Sequence, residues 1–121
     1  MAGIKLDGAG QAKMTTLDES VAIHQRIHGL VETYAISVKN NKPAGGIMQN
    51  IKRQFPALAG KLKGQFGMIS DLVTTVNMQS TRGASEQMRV RAMREGVAAI
   101  KAQLEIAVAQ TVAKHEVKDN H

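Results

Sequence analysis

The 121-residue chain has no cysteine and no tryptophan, and it contains only one tyrosine and two phenylalanines. Without cysteine it has no disulfide framework, no thiolate ligand for zinc or an iron–sulfur centre, and no cysteine nucleophile. Because aromatic side chains bury the largest area per residue, the core must be assembled from many smaller contributions. Such a core predicts a marginally stable monomer, so we expect a homo-oligomer or a subunit of a complex. A tight alanine-rich bundle that is stable alone is the alternative.

Long hydrophobic runs are missing as well. Residues 1–14 lack the apolar core of a secretory signal, and no stretch approaches the ~18 apolar residues of a membrane span, which predicts a cytoplasmic protein. A nucleophile elbow, a glycine-rich phosphate loop and a paired-carboxylate motif are also absent, and residues 42–46 lack the Gly-Lys-Ser/Thr element of a P-loop. We therefore expect a protein that is not an enzyme and uses no cofactor or metal.

Helical periodicity is what the sequence does contain. Apolar residues recur at spacings of three and four along most of the chain. This predicts an all-α fold, a four- to five-helix bundle in which long first and last helices form the main antiparallel pair around a middle broken by proline and glycine. Residues 1–14, which are glycine-rich and aperiodic, are expected to form a flexible arm, 15–117 a single helical domain and 118–121 a frayed tail.

The first helix is predicted from about Leu17 to Lys39. Thr16 has the position of an N-cap, and Glu19, three residues later, would complete a capping box. The run at residues 40–46, which combines asparagine, proline and two glycines, should end this helix.

Pro56 interrupts the helical period in the middle of the chain. Because proline lacks an N–H group and collides with the preceding turn, we expect one helix to end near Phe55. A second is expected over residues 56–64 and a third up to about residue 78. One continuous, kinked helix is the alternative.

The last helix has the most regular pattern and is predicted from about Ser85 to Val117. At about 1.5 Å per residue it would be roughly 50 Å long. Seven of its residues form a heptad seam that should face the core: Val90, Met93, Val97, Ile100, Leu104, Ala107 and Thr111.

Positive charge is concentrated in the middle of the chain. Between Lys39 and Lys101 there are eleven basic and three acidic side chains, a local charge of +8, compared with +6 for the whole chain. A local positive field attracts polyanions. We therefore expect binding to the phosphate backbone of DNA or RNA, within a larger nucleoprotein assembly.

Eight cations are the candidate phosphate-binding residues, in two clusters that could lie side by side in a bundle. They are Lys52, Arg53, Lys61, Lys63, Arg82, Arg89, Arg91 and Arg94. The scarcity of aromatic residues argues against the reading of single-stranded bases by stacking. There are three alternatives: a solvated basic face without a partner, binding to an anionic membrane surface, and binding to an acidic protein partner. In the last case the protein would be a helical scaffold or adaptor.

Three histidines form a weaker pattern. His24 and His28 lie four residues apart in the first helix, and His115 lies near the end of the last. If the two helices are antiparallel, the three could approach one another and hold zinc or haem. We expect instead that these three histidines pack in the core and bind no ligand.

Overall fold

The structure, a computed structural model, describes residues 5–82 and 85–117. These ranges contain four helices: α1 Gly8–Lys39, α2 Gly45–Leu62, α3 Gly67–Ser80 and α4 Glu86–His115. The predicted all-α class is confirmed, and pairing of extended backbone within the described residues is limited to an isolated bridge between Leu6 and Glu116. In the same part of the chain, no helix combines the length and the apolar character needed to cross a membrane.

The four helices pack in a ring. Each packs closely against its neighbours in sequence, α4 closes the ring against α1, and the backbones of the diagonal pairs α1/α3 and α2/α4 do not approach each other closely within the described residues. The connections at residues 40–44, 63–66 and 81–85 are short, so consecutive helices run antiparallel. As predicted, the long first and last helices are also an antiparallel pair.

The core lies along the centre of the ring. The predicted heptad seam of α4 is confirmed, because all seven of its residues are buried. Tyr34 of α1 and Phe55 of α2 are the largest fully buried side chains. Apart from these two rings, the core is built from leucine, isoleucine, valine, methionine and alanine, as the composition requires.

The start of α1 differs from the prediction. The helix begins at Gly8, and its N-cap is Asp7, whose carboxylate accepts a hydrogen bond from the Gly10 N–H at 2.7 Å. Thr16 is inside the helix, where its hydroxyl donates to the Ala12 carbonyl. Residues 8–14 are therefore helical. Residues 1–4 of the expected arm and the expected tail at 118–121 lie outside the described residues.

A contact with the end of α4 explains the early start of α1. Gly10 is buried against the side chain of His115, and the Asp7 N–H donates to the His115 carbonyl at 3.0 Å. His115 Nδ1 lies 3.0 Å from the Asp7 carboxylate. This pairing joins residues more than one hundred positions apart, so helical periodicity could not reveal it.

The predicted break at Pro56 is wrong, because α2 continues through it. Pro56 is exposed, and the only helical bond it removes is the one to the carbonyl of Lys52. On the outer side of the helix water can satisfy that carbonyl, while Phe55 and Leu58 hold the inner face in the core. Core burial on both sides of the proline therefore outweighs its local cost.

Gly96 marks a close approach between α3 and α4. A Cβ atom at this position would lie 2.3 Å from Val76 Cγ1, whereas a Cβ at Gly29 in α1 would meet no atom within 4 Å. Both glycines lie within long helices, but Gly96 is tightly packed whereas Gly29 faces open space.

Gly96→Ala should lower the free energy of unfolding by about 1–3 kcal/mol, because the added methyl overpacks the α3/α4 contact. The control Gly29→Ala should raise it by up to about 1 kcal/mol through helix propensity alone. Urea titration followed by circular dichroism measures both values. Equal stability of Gly96→Ala and the parent would contradict the close approach.

Asp7 should make the joined ends of α1 and α4 sensitive to acid. The pKa of the Asp7 carboxyl is held below its usual value. The largest cause is the hydrogen bond from the Gly10 N–H, and the hydrogen bond with His115 and the positive charge of nearby Lys13 add to it. A lowered folded-state pKa contributes stability above the unfolded-state pKa and loses it as the pH falls through the folded-state pKa.

Asp7→Asn keeps an oxygen acceptor at the N-cap but removes this charge. We expect the variant to have a lower Tm than the parent at pH 7 and the difference to shrink between about pH 5 and pH 3. Asp18→Asn, which removes a carboxylate from an exposed position in α1, is the control. A constant Tm difference across this range would contradict the role of Asp7.

Candidate nucleic-acid interface

The bundle has a natural midpoint where the ring of His24 in α1 meets the carbonyl of Val97 in α4, with Nε2 and O 2.8 Å apart. One end holds the last turns of α1 and α3 and the first turns of α2 and α4. We call the part of the bundle from the midpoint to this end the basic half; it comprises the described residues among 25–56 and 77–96. The remainder is the neutral half.

The basic half carries nine basic and three acidic side chains, a formal charge of +6. Its basic residues are Arg26, Lys39, Lys42, Lys52, Arg53, Arg82, Arg89, Arg91 and Arg94, and its acidic residues are Glu32, Glu86 and Glu95. In the described part of the neutral half, six basic and six acidic side chains cancel. They are Lys5, Lys13, Lys61, Lys63, Lys101 and Lys114 against Asp7, Asp18, Glu19, Asp71, Glu105 and Glu116.

The turn after α1 brings two lysines to the tip of the basic half. Asn41 adopts a left-handed conformation with φ 55°, one that asparagine tolerates better than most residues. The Lys42 N–H then donates to the Ser37 carbonyl at 2.8 Å, and the Asn41 N–H to the Val38 carbonyl at 3.1 Å. This helix-ending motif reverses the chain and leaves the side chains of Lys39 and Lys42 exposed.

The structure separates the eight predicted phosphate-binding residues. Six are in the basic half: Lys52, Arg53, Arg82, Arg89, Arg91 and Arg94. Lys61 and Lys63 lie in the neutral half, where Lys61 forms an ion pair with Glu19. The expectation that the clusters on α2 and α4 lie side by side is wrong, because these helices are diagonal in the ring. The remaining six share one end of the bundle but not one face.

Ion pairs divide the cations of the basic half further. The Arg94 guanidinium donates two hydrogen bonds to the Glu32 carboxylate, at 2.8 and 3.0 Å. These bonds lower the pKa of Glu32 and raise that of Arg94. Arg91 contacts Glu95 in the same helix at 3.3 Å. Both guanidinium groups are therefore partly neutralised before any polyanion arrives.

Six other cations of the basic half form no ion pair with a carboxylate in the described part of the chain: Arg26, Lys39, Lys42, Lys52, Arg53 and Arg82. All six are exposed. Lys39 and Lys42 were not among the eight predicted residues. No local pattern distinguished them, because their position at the tip depends on the turn and on the direction of the neighbouring helices.

The three histidines do not converge. His24 lies at the midpoint, whereas His115 lies at the far end of the neutral half, between Asp7 and Lys13. Within residues 5–82 and 85–117, no group of three histidine, aspartate or glutamate side chains is arranged to hold a metal ion.

Comparison of the chain with protein-family models, with curated proteins and with solved structures found no match.

Proposed function

We propose that the protein is a non-enzymatic nucleic-acid-binding module that contacts the phosphate backbone through its basic half, as a subunit of a larger nucleoprotein assembly. The observation that carries this proposal is the location of the charge. A formal charge of +6, equal to that of the whole chain, lies in the basic half, while the described part of the neutral half sums to zero. A one-sided field of this kind orients the molecule toward a polyanion.

The cations suit contact with phosphates rather than with bases. Lys42 and Arg82 come from the two turns that meet at one end of the bundle, Lys39 is the last residue of α1, and the basic half extends about 24 Å along α1 at 1.5 Å per residue. That length covers roughly seven phosphates of one strand at 3.4 Å each. The two aromatic side chains in this half, Tyr34 and Phe55, are buried and therefore unable to stack on bases.

Exchange of three cations at the tip tests the proposal. The variant Lys39→Gln/Lys42→Gln/Arg82→Gln should reduce the magnitude of the slope of log K against log salt by about three units, since each lost phosphate contact accounts for about one. Because base edges are not read, the affinity should fall similarly for mixed DNA and RNA sequences. Filter binding at several salt concentrations measures both effects.

A matched variant removes the same charge from the neutral half. Lys63→Gln/Lys101→Gln/Lys114→Gln gives the chain an identical net charge, and we expect its salt slope to change by less than one unit. Equal losses in the two variants would mean that net charge alone governs binding. If the variant at the tip binds as tightly as the parent, the phosphate contact does not lie there.

The second candidate is a helical adaptor for an acidic or helical protein partner. It is favoured by three exposed apolar side chains at the charged end: Ile36, Met78 and Met88, which are 60%, 48% and 61% exposed. Flexible methionine side chains adapt to different apolar partner surfaces. A contact based on them would depend only weakly on salt, whereas phosphate binding depends on it steeply. The salt titration therefore also distinguishes the adaptor from the nucleic-acid-binding module.

A further inference from the structure

An apolar groove runs between α1 and α4 on the outside of the ring. Its volume is about 570 Å³, which is within the range of small-molecule sites. Most of its surface is apolar, and five of its twelve lining residues are aliphatic: Val21, Val97, Ala98, Leu104 and Val108. We call this space the α1/α4 groove. It crosses the midpoint of the bundle and does not involve Lys39, Lys42 or Arg82.

His24 lines this groove, and its hydrogen bond to Val97 determines which ring nitrogen donates and which accepts. The residue is 6% exposed, and its Nε2 lies 2.8 Å from the carbonyl oxygen of Val97. Since a carbonyl only accepts hydrogen bonds, Nε2 must carry the proton. In a neutral imidazole the other nitrogen, Nδ1, is then an acceptor.

That acceptor has no partner in the protein. Nδ1 of His24 forms no hydrogen bond within the described residues, where Asn77 Oδ1 is the one fully buried side-chain N or O atom without a partner. Nδ1 is therefore not fully buried, and the α1/α4 groove is the open space that His24 lines. His24 thus brings a largely buried hydrogen-bond acceptor to the wall of an apolar groove.

The charges around the groove balance. Arg94 is paired with Glu32, and Lys101 Nζ lies 4.0 Å from Glu105 Oε1. All four side chains line the groove, together with the uncharged Gln25 and with His28. A charged ligand would have to compete with one of these pairs. The surface therefore favours an uncharged molecule.

We propose that the α1/α4 groove binds a small uncharged molecule with an apolar body and one O–H or N–H donor, of the phenol type. The donor forms a hydrogen bond to His24 Nδ1, and the apolar body covers Val97, Ala98 and Leu104. This assignment does not rest on nucleic-acid binding: the groove contains none of Lys39, Lys42 and Arg82, and Arg94, which does line it, is ion-paired with Glu32.

A matched pair of ligands tests the hydrogen bond. 4-Butylphenol and 4-butylanisole have the same apolar body, but the methyl ether lacks the donor. At pH 8, where free imidazole is neutral, calorimetry should show the phenol binding about five- to ten-fold more tightly, the value of one hydrogen bond of about 1–1.4 kcal/mol. Equal affinities, or no heat from either compound up to 1 mM, would overturn the proposal.

A matched pair of variants tests the location. Ala98 is exposed and lines the groove, whereas its neighbour Ala99 is equally exposed but does not line it. Ala98→Trp should fill the groove and weaken phenol binding at least ten-fold, and Ala99→Trp should leave it within two-fold. Circular dichroism verifies that both variants are folded. Unchanged affinity in Ala98→Trp, or an equal loss in both variants, would place binding elsewhere.

Sedimentation of the same variants examines the competing occupant. If the parent is a dimer and Ala98→Trp alone is a monomer, the groove is the contact between two copies of the chain, and the small-molecule proposal is wrong. An unchanged oligomeric state combined with lost phenol binding supports the proposal.

Discussion

The antiparallel contact between α1 and α4 is the interaction on which the other features depend. It is held at the midpoint by the bond between His24 and the Val97 carbonyl, and at one end by Gly10 against His115. Because these helices are the first and last of the chain, their contact closes the ring and fixes which surfaces face outward. The start of α1, the separation of the histidines and the α1/α4 groove all follow from this closure.

The direction of the helices also determines where the charge lies. In a bundle whose helices alternate in direction, the first and third turns meet at one end and the second turn at the other. The basic residues near residues 39–53 and 82–94 flank the first and third turns, so they meet at one end although they are distant in sequence. Lys61 and Lys63 adjoin the second turn and therefore lie in the neutral half, where Lys61 forms an ion pair with Glu19.

The two proposed activities use different physics. Phosphate binding at the tip would rely on exposed lysines and an arginine that remain solvated, where long-range attraction and counterion release dominate. Binding in the α1/α4 groove would rely on apolar contact and on one largely buried acceptor, where a hydrogen bond is stronger than it is in water. Phosphate binding would depend on the net charge of the basic half, and binding in the groove on the position of His24 Nδ1.

The all-α class, the seam of α4 and the excess of positive charge could be predicted from the amino-acid sequence, because periodicity and composition are local properties that survive in any helical packing. Three other features required the folded chain: α1 begins at Gly8, α2 passes through Pro56, and α2 and α4 are diagonal. Each of these depends on contacts between residues distant in sequence, or on burial that outweighs a local preference. The positive charge of the candidate site could be predicted from the sequence, but the surface that carries it could not. The order of the helices in the ring and their directions determine where each cation lies.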